Sequence, residues 1–219
     1  EEHTYNAIVK ERLQYGQYID LYSFIKRTHT SIEQLQLLIR IGAFRTLNKN
    51  KKELLWEAYM LVNPSKLSAH TADLFELKPE KFKLPQLENN WIDDIYDELE
   101  LLGFTLQLPF KLLKNKMPCT LLSNDLKNLI GKTVEIVGYL VNIKTTRTSG
   151  GERMIFGTFL DTEGYWIDTV HFPIAAKQHP FTGPGCYHLK GKVVNDFDFI
   201  YSDIVWQQRL PYINKDDDK

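Results

Sequence analysis

Residues 131–206 limit the possible folds more than any other part of the chain. Five β-rich runs follow one another: TVEIVGYLVNIK (133–144), MIFGTFLD (154–161), YWIDTVHF (165–172), CYHLKGKVV (186–194) and FIYSDIVW (199–206). The turns SGG (149–151) and TEG (162–164) suit positive φ. Strands this short, joined by Gly-rich turns, predict a small five-stranded barrel of the OB type, with a helical turn at 173–178 between strands three and four. Gly138, inside the long first strand, predicts the bulge or bend that a closed barrel needs to turn a corner. Barrels of this type commonly hold single-stranded nucleic acid.

Ahead of the barrel the pattern is helical. Gly16 closes AIVKERLQY, and Asp20 stands as a cap before LYSFIKRT. Thr30 or Ser31 caps IEQLQLLIRIG, with Glu33 or Gln34 completing a capping box. Ile32, Leu35, Leu38 and Ile39 form its apolar stripe, and Gly42 stops it. Lys51 or Lys52 opens KKELLWEAYMLV, which carries Leu54, Leu55, Ala58, Tyr59 and Val62 on one side and ends at Asn63-Pro64. WIDDIYDELELLGF (91–104) is expected to turn Trp91, Ile95, Leu99 and Leu102 inward and its acids outward, with a further short helix at DLKNLIG. The expected organisation is a helical domain at 1–62, a connector at 63–130 holding the amphipathic helix, a barrel at 131–208 and a tail at 209–219 ending in KDDDK.

Net charge is −1, so any nucleic-acid site must come from local clustering. Residues 40–52 hold Arg40, Arg45, Lys49, Lys51 and Lys52 without an acid, whereas 88–100 hold Glu88, Asp93, Asp94, Asp97, Glu98 and Glu100 without a base. Such blocks predict one face that meets phosphates and another that repels them. The segment LIRIGAFRTLNKNKK (38–52) reads as two helices around a tight Gly turn, a form that presents backbone N–H groups and cations to a phosphate. Its alternative is a solvated basic turn. The loop KTTRTSGGER (144–153) places Lys144, Arg147 and Arg153 around a flexible tip over the barrel's ligand groove. Among Phe156, Phe159, Tyr165, Trp166, Phe172, Phe199 and Tyr201, alternation allows about half to face outward. Phe156 and Phe159 have opposite parity, so one belongs to the core and the other can reach the surface. Trp166 and Tyr201 are the candidate stacking platforms.

Catalytic patterns are missing. There is no GxxxxGK[ST], GxGxxG or nucleophile elbow. His3, His29, His70, His171, His179 and His188 lack HxxxH or HxH spacing, and Cys119 and Cys186 are expected to be free thiols, so no metal site is expected. No apolar run approaches the ~20 residues of a membrane span, and EEHTYNAIVKERLQ is too polar for a signal peptide.

The order of these parts resembles a known family. LLIRIGAFRTL resembles the second hairpin of the tandem helix-hairpin-helix region in the alpha subunit of bacterial DNA polymerase III, a family C polymerase. KKELLW resembles the segment after it, and ELELLGFTLQLPF the family's LGF…P connector. VEIVGYLVNIKTTRTSGGERMIFGTFLDTEGYWIDTVHFP resembles the family's OB domain. An error-prone paralogue shares both domains. The resemblance implies a multidomain α + β fragment: a helix-hairpin-helix domain followed by a five-stranded OB-type barrel. A first residue other than Met also reads as a fragment. The catalytic aspartates, and the magnesium they use in the parent polymerase, would then lie outside it. Duplex contacts are implied for Arg40, Gly42, Ala43 and Arg45, with Lys49, Lys51 and Lys52 close enough to add to them. Single-stranded contacts are implied for Lys144, Arg147 and Arg153, beside Trp166 and Tyr201. The upstream Gly-x-Gly hairpin is absent, LQLPF replaces the usual connector sequence, and 63–90 holds no glutamine-led clamp-binding peptide.

The sequence therefore predicts a non-catalytic DNA-binding region of a replicative polymerase. Single-stranded and duplex DNA are the expected partners, with the sliding clamp and other replisome subunits reached through the full-length protein. A cytoplasmic location is expected. The alternatives are a protein-interaction module with a structural barrel, or an RNA-binding OB module.

Overall fold

A computed structural model describes residues 2–62, 87, 90–197 and 199–214. The connector at 63–90 lies almost wholly outside the described residues, as do His70, Glu88, Asp198 and the KDDDK end. The chain divides into two compact units, residues 1–105 and 106–219.

The first unit holds α1 (Glu2–Tyr15), α2 (Leu21–Thr28), α3 (Ile32–Arg40), α4 (Lys51–Val62) and α5 (Trp91–Leu102). Local signals set their ends. Asp20 caps α2, accepting from the Ser23 amide at 2.7 Å. Ser31 and Gln34 form a reciprocal capping box on α3. Asn50 and Glu53 make a second such exchange at the start of α4. The helices bury Leu21, Phe24, Leu35, Ile39, Phe44, Leu54 and Ala58 in one core. Phe24 meets Phe44 edge-on, with ring centroids 4.9 Å apart.

The helix α5 departs from its expected phase. Ile92 and Ile95 are its buried residues, while Trp91 is 44% exposed. Asn90 caps the helix through the Ile92 amide, and Ile92, Ile95 and Leu99 define the inward stripe at spacings of three and four. Trp91, at the first helical position, falls outside that stripe.

The second unit is a closed barrel with neighbour order β1-β2-β3-β5-β4 and back to β1. Its strands are β1 (Thr133–Arg147), β2 (Arg153–Leu160), β3 (Trp166–His171), β4 (Cys186–Asp196) and β5 (Phe199–Arg209), with α6 (Pro173–Gln178) between β3 and β4. Only β3 and β5 pair in parallel. This connectivity is the five-stranded Greek-key barrel of the OB type. Ile136, Phe159, Ile167, Tyr187, Leu189, Val193 and Ile204 fill it, and Leu126 joins them from a short 3-10 helix, Ser123–Asn128, which overlaps the short helix expected at DLKNLIG.

Two expectations about β1 need correction. The register breaks between Leu140 and Asn142, so the bulge lies at Val141 and not at Gly138. Gly138 answers a packing need instead: a Cβ there would come within 2.8 Å of Phe159 Cβ. The basic segment is also less of a loop than expected. Pairing continues to Arg147 opposite Arg153, leaving only 148–152 as the turn.

Asp161 locks the barrel's entry. It is fully buried. Its Oδ1 accepts from the Glu163 and Tyr165 amides and its Oδ2 from the Ser123 amide, each at 2.9 Å. One carboxylate thus fixes the β2–β3 turn and the segment leading into the barrel. At the other end, Tyr212 hydroxyl accepts from the Cys186 amide at 3.0 Å, and Ile213 N donates to Leu112 O at 2.8 Å. The region set apart as a tail from 209 is therefore bonded to the barrel unit as far as Ile213. Both cysteines are free, and burial pushes the Cys186 thiol up to about 12. Among the described residues no helix is long and apolar enough to cross a membrane.

Asp161→Ala is expected to leave three backbone N–H groups without a partner, at a cost of about 3–5 kcal/mol. Urea unfolding of the barrel checks this, and a loss below about 1 kcal/mol would contradict it. His171 gives a pH prediction. Its ring is buried, Nε2 lies 2.9 Å from Thr169 Oγ1, and burial lowers its pKa from 6.5 to about 4. The unfolded chain therefore takes up this proton first. The group's contribution is complete above pH 6.5 and is lost as pH falls to about 4, by up to about 3 kcal/mol. His171→Gln should flatten the fall in barrel melting temperature between pH 7 and pH 5, and an equally steep fall in the variant would count against it.

Candidate nucleic-acid interface

The β1–β2 hairpin concentrates unpaired positive charge. Beyond the Val141 bulge, β1 pairs only with β2, and the side chains of residues 141–145 are exposed. Arg147 stands directly opposite Arg153 across the hairpin. Opposed residues of an antiparallel pair hold their Cβ atoms about 5 Å apart, and like charges there repel. Neither guanidinium has a carboxylate partner among the described residues, and neither does Lys144, opposite Phe156. Two planar five-donor forks held side by side suit a shared oxyanion.

The outer sheet face beside this arm carries aromatic rings. Cross-strand register sets Asn142, Thr158 and Asp168 in one row and Lys144, Phe156 and Val170 in the next. Phe159 is core and Phe156 surface, as parity required. Trp166, 60% exposed, extends the same face of β3. Tyr201 and Phe199 lie on β5, stacked at 6.5 Å with 30° between rings. Desolvation, followed by Asp196 and Asp203, raises the Tyr201 phenol, so this ring sits in an acidic setting. Phe197 is fully exposed at the β4–β5 turn. Phe156, Phe197 and Phe199 thus join Trp166 as surface rings, whereas Tyr201, expected as an exposed platform, is half-buried. Asp168 sits among them, accepting from Thr158 Oγ1 at 3.2 Å.

The helical hairpin differs in its electrostatics. The acidic helix does not form a separate repelling face; it lies against the basic block. Arg40 Nη2 reaches Asp97 Oδ1 at 2.8 Å and Glu100 Oε2 at 2.6 Å, and the hydrogen bond it donates to Asp97 leads the causes that raise the guanidinium pKa. Lys51 meets Asp94 at 3.1 Å, Lys52 meets Asp93 at 4.0 Å, and Lys49 meets Glu57 at 2.6 Å. Only Arg45 of this block has no carboxylate partner among the described residues; its Nε donates to Gly42 O at 3.0 Å. The Gly42 and Ala43 amides are also engaged, donating to Ile39 O and Leu38 O at 2.9 Å. Gly42 serves as the αL stop of α3, with φ of 75°.

No group of three or more His, Cys, Asp or Glu among the described residues is placed to hold a metal ion.

Residues 1–54 match a helix-hairpin-helix motif family. The chain is 31% identical over 187 residues to the error-prone DNA polymerase of Bdellovibrio bacteriovorus, covering 78% of this chain and 17% of that protein. It is 28% identical over 181 residues to the DNA polymerase III alpha subunit of Aquifex aeolicus, covering 78% of this chain and 14% of that protein. Solved structures with similarity include the PriB N-terminal domain of Thermoanaerobacter tencongensis, with TM-score 0.32, 9% identity and coverage of 36% of this chain and 96% of that one. A mitochondrial single-stranded DNA-binding protein of S. cerevisiae gives TM-score 0.31, 11% identity and coverage of 37% and 97%. The chain is thus similar, over 78% of its own length, to a segment of these two polymerases, and it spans about a sixth of the length of the curated relatives it matches.

Gly42→Val is expected to destabilise the helical unit by about 1–3 kcal/mol, because a β-branched residue is strained at this positive φ. Its Cβ would also press within 3.3 Å of Arg45 Nη2. Denaturant unfolding followed by far-UV circular dichroism measures the loss; a wild-type helical transition would contradict the expectation.

Proposed function

We propose that this chain is a non-catalytic DNA-binding segment of a replicative or error-prone polymerase, in which the barrel holds unpaired template and the α3–α4 hairpin rests on duplex backbone. The observation that carries the reading is the facing pair Arg147 and Arg153, two cations opposed across a projecting hairpin without a carboxylate between them. A bridging phosphate turns that repulsion into attraction. Lys144 adds a third charge, and Phe156 and Trp166 offer stacking surface on the adjoining face. The relationship to two polymerases supports the choice of DNA. On this reading the metal-dependent chemistry is done by residues outside these 219, the setting is cytoplasmic, and clamp or replisome contacts are made through the full-length protein.

The test is fluorescence anisotropy of the chain with a labelled single-stranded oligonucleotide over a salt series. Arg147→Ala with Arg153→Ala should weaken binding by about tenfold at low salt and flatten the log K against log salt slope by about 1.4, since each lost single-strand phosphate contact removes about 0.7. An unchanged slope would refute the arm as the phosphate site. Tighter binding to RNA than to DNA of the same sequence would favour an RNA-binding module instead.

A further inference from the structure

We propose that α5 screens the α3–α4 hairpin, so that DNA reaches Arg40 and Lys51 only by exchanging the carboxylates of α5 for phosphates. This rests on the reading of the hairpin as the duplex-facing element. Its basis is the geometry of one helix. Asp94, Asp97 and Glu100 recur at spacings of three, which brings them to neighbouring positions on α5. Asp97 and Glu100 hold the Arg40 guanidinium between them, and Asp94 holds Lys51. Each oxygen stands where a phosphate oxygen would stand on those cations. The arrangement is a row of protein anions on the surface that a DNA backbone would use.

The contacts are built to exchange. Ion pairs at a protein surface are weak and are screened by salt, so a phosphate can replace a carboxylate without a large barrier. What changes is the net gain. A free cation that meets a phosphate releases the DNA's counterion, whereas a cation already neutralised must first free a carboxylate. The hairpin should therefore bind duplex DNA weakly and with a shallow salt dependence, drawing on Arg45 alone until α5 lets go. Such screening suits an element that must slide along DNA and not anchor on it.

Duplex binding by the full chain tests the screen. Asp97→Asn with Glu100→Gln keeps the helix shape and hydrogen-bonding capacity but removes both charges from Arg40. The expected result is a threefold to tenfold gain in affinity for a blunt duplex at low salt, with a slope steeper by about 0.9 for the one cation freed. Adding Arg40→Ala to that pair should abolish the gain. Glu2→Gln with Glu33→Gln, which removes the same charge from exposed positions with no ion pair to the hairpin cations among the described residues, should leave affinity within about twofold. A gain that survives Arg40→Ala, or that the Glu2 and Glu33 pair reproduces, overturns the screen and points to net charge. No gain, in a chain whose duplex binding falls on Arg45→Ala, also overturns it while leaving the hairpin as a DNA contact. Duplex binding that is insensitive to Arg45→Ala and to every hairpin change would remove the hairpin reading together with the screen.

Discussion

The barrel unit depends on one strand serving two partners. Residues Thr133–Tyr139 of β1 pair with β4, and Tyr139–Arg147 pair with β2. The sheet closes only if β1 bends between these stretches, and the Val141 bulge next to the close Gly138–Phe159 packing is where it does. Closure removes the open sheet edges, which a small β domain must otherwise protect. Because β1 is longer than the closure needs, its far end projects with β2 as a paired arm. Lys144, Arg147 and Arg153 are thereby set on an ordered ladder and not on a loose tip.

Charge is arranged differently in the two units, although neither block of sequence is unusual. In the helical unit Arg40, Lys49, Lys51 and Lys52 all meet carboxylates. On the barrel arm, two arginines face each other unpaired. The near-zero net charge therefore hides one neutralised surface and one frustrated one. An anion gains more at the second, because no internal partner has to be released first.

Much of this fold was legible in the sequence. Gly-rich turns and short β-rich runs marked all five strands to within a few residues, and caps at Asp20 and Ser31 appeared as expected, because each is set by neighbours within four positions. What failed was decided over longer range. The pairing of the basic and acidic blocks joins residues 57 and 60 positions apart, which no local pattern reveals. Trp91 was expected inward with Ile95, Leu99 and Leu102, yet the phase of α5 follows Ile92 and Ile95. The bulge was placed at Gly138 because glycine permits bending, while at that position the glycine makes room for Phe159. Asp161 gave no signal as a structural lock; its role depends on amides from two separate turns. Among the rings, parity correctly divided Phe159 from Phe156, but the exposure of Phe197 and Phe199 required the β4–β5 turn itself.

The central claim is that the barrel's basic arm, and not the screened helical hairpin, is the principal phosphate-binding surface. Nuclear magnetic resonance of the isotopically labelled chain, titrated with a short single-stranded oligonucleotide at low salt, tests it most directly. The account predicts amide shift changes centred on residues 141–156 and spreading to Trp166 and the start of β5, with Arg40–Lys52 nearly unmoved. Shift changes centred on the α3–α4 hairpin, with the arm silent, would contradict it.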